Sequence, residues 1–218
     1  CVIKNWNNFS VNTSQSHIKL NTKEFPYQSI DSGKFYKKII SKISKNKNVS
    51  FFKNLDEINS NNSIIFNSLI EDKMDQSKLW QHFQGIEIET SKDVFDDKIF
   101  NLMDFNCDQK NSVHFFYTLP FTSKKALVET TWLSNLNDKD LMDYDDQLKK
   151  YVKNNLGIKN YQISYTEKGA IPLFYPSIKD GKKINIGSAG GMTRLSTGYT
   201  FLNIQEHCQY IRKNIENI

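Results

Sequence analysis

The sequence predicts an α+β protein, with an antiparallel sheet in the middle of the chain and a strand–glycine loop–helix unit at its end. Three observations lead there. Strand-like runs follow one another closely between residues 80 and 134. Helical spacing of apolar residues is found around 31–46, 138–157 and 196–218. The last helical stretch is preceded by "KINIGSAGG", a strand running into adjacent glycines.

Taken in order, "NWNNFSV" and "SHIKL" read as strands. "DSGKFYKKIISKISKN" has apolar residues at 35, 36, 39, 40 and 43, which predicts a helix capped by Asp31 or Ser32. "NVSFF" and "NSIIFNS" read as short strands. "LWQHFQGIEIET" predicts a strand broken at Gly85, and "KIFNLMDF", "VHFFYTLPF" and "KALVETTWLS" predict consecutive antiparallel strands. "DKDLMDYDDQLKKYVKNNLG", apolar at 141, 144, 148, 151, 152 and 156, predicts a helix stopped by Gly157. "YQISYTEKG" is a strand. "STGYTFLNIQEHCQYIRKNIENI" closes the chain as a helix capped by Ser196 or Thr197.

Composition narrows the classes. A chain of 218 residues, 38% hydrophobic, can bury a core. The net charge of +5 comes from dispersed lysines, which predicts solvated faces and no nucleic-acid groove, while contact with an anionic membrane surface is compatible. Cys1, Cys107 and Cys208 form no CxxC, and a reducing, cytosolic setting is the default. His17, His82, His114 and His207 stand apart, so no metal site is expected. No apolar run approaches the roughly 20 residues of a membrane-spanning helix. The chain opens without Met on "CVIKNWNNFSV", which reads as the middle of a sheet and suggests a piece of a longer protein.

One carboxylate raises a chemical question. If 125–132 is a strand, Leu127, Glu129 and Thr131 share one face, and Ala126, Val128, Thr130 and Trp132 the other. Both faces are mostly apolar. Glu129 therefore sits at an edge, pairs with a cation, or lines a cavity. In the last case burial holds its proton near neutrality, the state a general acid needs.

Five segments in order carry a family resemblance. "FFYTLPF" followed by "ALVETT" resembles the aromatic-Tyr-x-Leu-Pro-Phe strand and acidic segment of the lycopene β-cyclases, FAD-dependent carotenoid cyclases. "QHFQGIEIET" (81–90), "FNLMDF" (100–105), "EKGAIPL" (167–173) and "IGSAGGMTRLSTGYTF" (186–201) resemble further segments of that family. The likeness runs from about residue 25 to the end. Two positions depart. Val128 stands where plant members have the first of two acids, leaving only Glu129. Arg194 and Leu195 stand where many members have His or Lys, then Pro. The family's N-terminal Gly-x-Gly-x-x-Gly fingerprint is absent.

The resemblance implies the rest. Residues 1–24 would be an incomplete N-terminal sheet segment, 25–182 a substrate-binding sheet domain with packing helices, and 183–218 the C-terminal part of an FAD-binding, Rossmann-like domain. The implied reaction protonates an end-group double bond of linear lycopene. The neighbouring double bond then attacks the carbocation, and loss of a ring proton gives a β-ionone ring without net redox change. Glu129 is the implied acid, and Glu167 a second catalytic candidate whose structural role is as good a reading. Asp104 reads as a turn anchor. Phe115, Phe116, Tyr117 and Trp132 are candidates to line the substrate site, with core packing as the competing role. Gly187, Gly190, Gly191, Met192, Ser196, Thr197 and Gly198 would contact flavin, through backbone N–H groups left free by adjacent glycines and a capped helix. On residues alone this loop is a generic turn. The cofactor would be reduced FAD with NAD(P)H as reductant, and the enzyme cytoplasmic and peripherally membrane-associated. Two other functions fit part of the pattern. A related FAD-dependent monooxygenase or polyprenyl reductase shares the ending but does not require a carboxylate at 129. A non-catalytic apolar-ligand binder is favoured by the absent fingerprint.

Overall fold

Long runs of alternating side chains set the architecture, because a strand buries one or both faces only if something packs there. The computed structural model describes residues 1–57, 63–70, 75–176 and 183–217. The expected boundary at 182 and the terminal Ile218 lie outside the described residues.

The strands are β1 (Val2–Trp6), β2 (Asn8–Asn12), β3 (His17–Asn21), β4 (Tyr27–Ile30), β5 (Ile65–Asn67), β6 (Trp80–Glu89), β7 (Ile99–Asp104), β8 (Val113–Thr122), β9 (Lys125–Ser134), β10 (Gln162–Pro172) and β11 (Lys183–Asn185). The helices are α1 (Ser32–Ile43), α2 (Tyr144–Asn154) and α3 (Phe201–Asn214). Seven strands form one sheet in the order β10-β6-β9-β8-β7-β2-β3, antiparallel except at β2–β7. β1 and β4 form an antiparallel pair, and β5 and β11 a parallel one. The architecture is thus α+β with a mostly antiparallel sheet.

Four details differ from the sequence reading. Residues 8–21, expected in a separate segment, extend the main sheet through β7. β6 runs unbroken through Gly85, which pairs with Glu129 on one side and Glu167 on the other. Residues 48–52 form no strand. α3 starts at Phe201 with Thr200 at its cap, not at Ser196 or Thr197. The amides of Thr197 and Gly198 both bond back to the Arg194 carbonyl, so a closed turn occupies the expected first helical turn.

α2 covers one face of the sheet. Asp143 caps it by accepting from the Asp146 amide, and Asp145 and Asp146 sit in the first turn, where the helix dipole favours them. At its other end Gly157 adopts φ +69°, and the Ile158 amide reaches back to the Val152 carbonyl. Leu148, Tyr151 and Val152 pack on Ile86, Ile88, Phe116 and Val128. Gln147 fastens the helix down. Its Oε1 accepts from Thr130 Oγ1 and Trp132 Nε1, and its Nε2 donates to the Leu141 carbonyl. Asp104 accepts from the Asn106 amide and the Tyr151 hydroxyl, tying the end of β7 to α2.

Candidate active site

The face turned away from α2 is organised by register. Tyr117 on β8 stands opposite Glu129 on β9, Glu129 opposite Gly85 on β6, and Gly85 opposite Glu167 on β10. Directly opposed residues point to the same side of a sheet, so the two carboxyls and the phenol share one face. Gly85 supplies no side chain between them. A Cβ there would lie 3.2 Å from Glu167 Cγ, 3.3 Å from Glu167 Oε1 and 3.2 Å from Leu127 Cδ1. The Glu167 side chain therefore leans over the glycine.

Glu129 is not at an edge, since β9 is flanked by β6 and β8. Among the described residues it forms no ion pair. Burial pushes its carboxyl up to about 8; the hydrogen bond from Thr131 Oγ1 to its Oε1, at 2.8 Å, opposes the rise, and the charge of Glu167 adds to it. Glu167 is also raised, by burial first and then by Glu87. Glu87 itself bonds Lys125 at 2.7 Å, and Lys125 also holds Glu89, so the nearest cation of this face is occupied at its rim.

A tyrosine cluster stands beside the acid. Tyr199, just before α3, stands by Tyr27 of β4, their ring centroids 6.5 Å apart, and Tyr117 and Glu129 lie close enough to act on both electrostatically. Burial raises each phenol, so all three are neutral donors near neutrality. Phe115 meets Tyr117 edge-on at 5.2 Å, and Tyr27 leans on Phe100 at 4.5 Å. Phe100 and Trp6 continue this aromatic surface.

Of the four expected lining residues, two reach this face. Phe115 and Tyr117 stand with Glu129; Phe116 and Trp132 do not. Phe116 stacks on Tyr151 at 3.9 Å, and Trp132 stacks on His114 at 3.8 Å, both beneath α2. A cavity of about 300 Å³ opens on that opposite side among Asp108, Lys110, His114, Trp132, Gln147 and Lys150, and contains none of the acid-face groups. Its lining carries both acids and lysines.

The C-terminal loop approaches the acid face. A Cβ at Gly198 would collide with the Gln81 side chain at 1.9 Å, so the glycine is what lets the loop come this close to β6. Thr197 and Gly198 thus lie next to Tyr199 and its partners, whereas Ser196 is exposed. The turn at 187–192 is different from expectation. The amides of Gly190, Gly191 and Met192 donate to Ile186, Gly187 and Ser188 carbonyls within the turn. Gly187 and Gly191 have positive φ, and Gly190 packs so tightly that a Cβ would meet the Asn185 carbonyl at 2.5 Å. Backbone closure alone accounts for the glycine at 190.

The sequence model of the family described as lycopene cyclase protein matches residues 1–218, the full length given. The chain belongs to the lycopene cyclase family. Its fold is similar to that of a geranylgeranyl bacteriochlorophyll reductase-like protein from Thermoplasma acidophilum, with TM-score 0.69 and 13% identity over 99% of this chain and 64% of that one. At that identity the likeness concerns fold. The chain thus spans less than two thirds of that protein's length. A comparison with curated proteins returned no match.

Within this lycopene cyclase family chain, three residues of the acid face escaped the sequence reading. By sequence Gly85 reads as a strand break, and only the registers of β9 and β10 reveal it between two acids. Tyr199 lay inside the quoted "STGY" segment, and Tyr27 carried no local signal. No helix among the described residues is long and apolar enough to cross a membrane.

Proposed function

We propose that this chain carries the acid-bearing, substrate-binding part of a lycopene β-cyclase, and that Glu129 is the proton donor. One observation carries the reading: a carboxyl in the middle of a sheet, unpaired with any cation among the described residues and held protonated up to about pH 8 by burial. Protonating an alkene demands a neutral acid, and the resulting carbocation demands the exclusion of water. Glu129 donates its proton to the end-group double bond. The next double bond closes the ring, and a ring proton leaves. Phe115 and Tyr117 stand edge-to-face on the side of Glu129, and an aromatic face there stabilises a cation by roughly 0.5–2 kcal/mol.

Flavin enters this reading through the family. The residues fit it only in part: the turn after Arg194 lies against Gln81 beside the acid face, but its Thr197 and Gly198 amides, like those of the self-bonded turn at 187–192, are spent on their own carbonyls. Gly187, Gly190, Gly191 and Met192 then shape the loop, and Ser196 has no assigned contact. Reduced FAD would supply electron density beside the cation, and NAD(P)H would be its reductant. The dinucleotide-binding unit would lie in sequence beyond this chain. The parallel pair β5–β11 supports that arrangement, because parallel strands are ordinarily covered on both faces, yet Phe66 within it and Ile64 just before it are exposed. The substrate dissolves in bilayers, so a cytoplasmic protein in peripheral contact with membrane is part of the proposal.

The test is expression of the full-length protein carrying this chain in lycopene-accumulating cells. Ring-containing product is expected, and Glu129→Gln is expected to lower its formation by about 100-fold or more, within the range of general acid catalysis, with unchanged folding. An active Glu129→Gln enzyme removes the assignment. A saturated or oxygenated product instead of a ring shifts the protein to the polyprenyl reductase or monooxygenase reading.

A further inference from the structure

We propose that Gly85 is a positioning residue: its missing side chain lets Glu167 lie across β6, so that Glu167 takes the proton the ring loses and returns it to Glu129. The inference rests on the cyclase reading for its chemistry, but its geometry stands independently. Glu129 and Glu167 flank the same glycine from the two neighbouring strands. Strands lie about 4.8 Å apart, so their backbones are two spacings distant, and an intervening side chain would fill the space between the carboxyls. Glu167 instead reaches to 3.3 Å from the position a Cβ would occupy.

Cyclisation gives one proton to the substrate and recovers one from a different carbon. Two carboxyls whose environments differ can divide those tasks. Glu129, the more enclosed, starts protonated; in the proposed cycle Glu167, whose carboxyl burial and the charge of Glu87 also raise, starts as carboxylate. Donation leaves Glu129 as carboxylate and the substrate as cation. The ring C–H pair becomes the new double bond, and its proton goes to a Glu167 oxygen. Transfer from Glu167 to Glu129 across Gly85 restores the start, with no oxidant or reductant required. The other groups facing the pair are Leu127 and Thr131 from β9, Tyr117 from β8, and Tyr27 and Tyr199 from outside the sheet.

The experiment has two arms on the full-length protein. In the first, Glu129 is titrated by carboxyl ¹³C NMR in glutamate-labelled protein, with Glu129→Gln identifying the signal. Glu167→Gln should lower its midpoint by about half a pH unit or more, because a neighbouring negative charge is removed. In a Gly85→Val background the same substitution should have no effect, since valine displaces the Glu167 carboxyl. In the second arm, ring formation is measured in lycopene-accumulating cells. Gly85→Ala, whose Cβ asks Glu167 to move by only tenths of an ångström, should lose about 10-fold, and Gly85→Val about 100-fold. Gly85 lies outside the left-handed region, so alanine costs no backbone strain and keeps the test valid if valine unfolds the protein. Undiminished coupling in Gly85→Val, or full ring formation by both variants, overturns the positioning role. If coupling behaves as expected but even the parent forms no ring, the proton return and the cyclase reading fail together while the carboxyl pair stands.

Discussion

The two faces of the central sheet are built from the same alternating strands and hold their ionisable groups differently. Beneath α2 both histidines are held by hydrogen bonds, although Thr118 Oγ1 and Asn101 Oδ1 on the same side lack partners. His82 accepts the Tyr144 hydroxyl at Nδ1 and donates from Nε2 to Ser134, which itself donates to the Asn135 carbonyl. His114 bonds the Asp108 carbonyl and faces Thr130. Burial holds both imidazoles down at about 4; neutral His82 is fully engaged, whereas neutral His114 donates from Nδ1 to the Asp108 carbonyl and competes with Gln147 for the Thr130 hydroxyl. On the other face burial likewise favours the neutral form, raising Glu129 and Glu167, which flank the same glycine without a cation paired to Glu129 among the described residues. Satisfied polar groups rigidify a core, whereas frustrated ones keep a reactive proton available.

The largest effect that would break this division is on stability. Phe116→Ala removes a ring that is 2% exposed and stacked on Tyr151, and should destabilise the protein by about 3–5 kcal/mol in denaturant unfolding. Whatever ring formation survives should keep its pH profile. If Phe116→Ala instead leaves unfolding untouched and alters the product, the α2 face takes part in chemistry and the comparison is wrong.

The second prediction separates the faces by pH. Glu129 is raised from 4.5 to about 8, so the folded state binds the extra proton in that window. Its contribution to stability is complete below pH 4.5 and is lost as pH rises through 8. His82 and His114 are lowered from 6.5 to about 4, so their contribution is complete above 6.5 and is lost as pH falls toward 4. Glu129→Gln should therefore remove the fall in stability between pH 4.5 and 8, raise the thermal midpoint by a few degrees at pH 9, and leave the histidine-driven loss as pH falls from 6.5 toward 4 in place. A changed acid limb with an unchanged alkaline one would reverse the assignment of faces.

The same comparison explains what was legible beforehand. The period-two pattern of 113–134 correctly grouped Leu127, Glu129 and Thr131 apart from Val128, Thr130 and Trp132, because alternation is a property of the backbone. Which group faced the helix was hidden, since that depends on Gln147 reaching Thr130 and Trp132 from 17 and 15 positions away, a contact no local window contains. Phe116 and Trp132 looked as suitable for substrate as Phe115 and Tyr117 for this reason. Gly85 read as an interruption because glycine weakens isolated strands; between β9 and β10 it is held by pairing on both sides. The start of α3 was misplaced because Ser196 and Thr197 are good caps in principle, and the turn that closes on Arg194 competes with them.

The smallest prediction is also the most specific to the acid. Thr131 is fully buried, and its hydroxyl donates to Glu129 Oε1 at 2.8 Å, a bond that favours the ionised carboxylate and opposes the rise that burial causes. Thr131→Val keeps the shape and deletes that donor. A hydrogen bond to a charged partner is worth about 1.5–3 kcal/mol at most, and part of it also serves the protonated acid, so Glu129 should rise by roughly one pH unit or less. The alkaline limb of ring formation should move upward by the same amount, with stability at pH 6 changed by less than about 1.5 kcal/mol. Any group on the α2 face lacks a reason to respond, because Thr131 points away from it and the His82 and His114 networks do not include it. An alkaline limb that moves down, or stays where it was while the Glu129 carboxyl signal shifts, would mean that a different group delivers the proton.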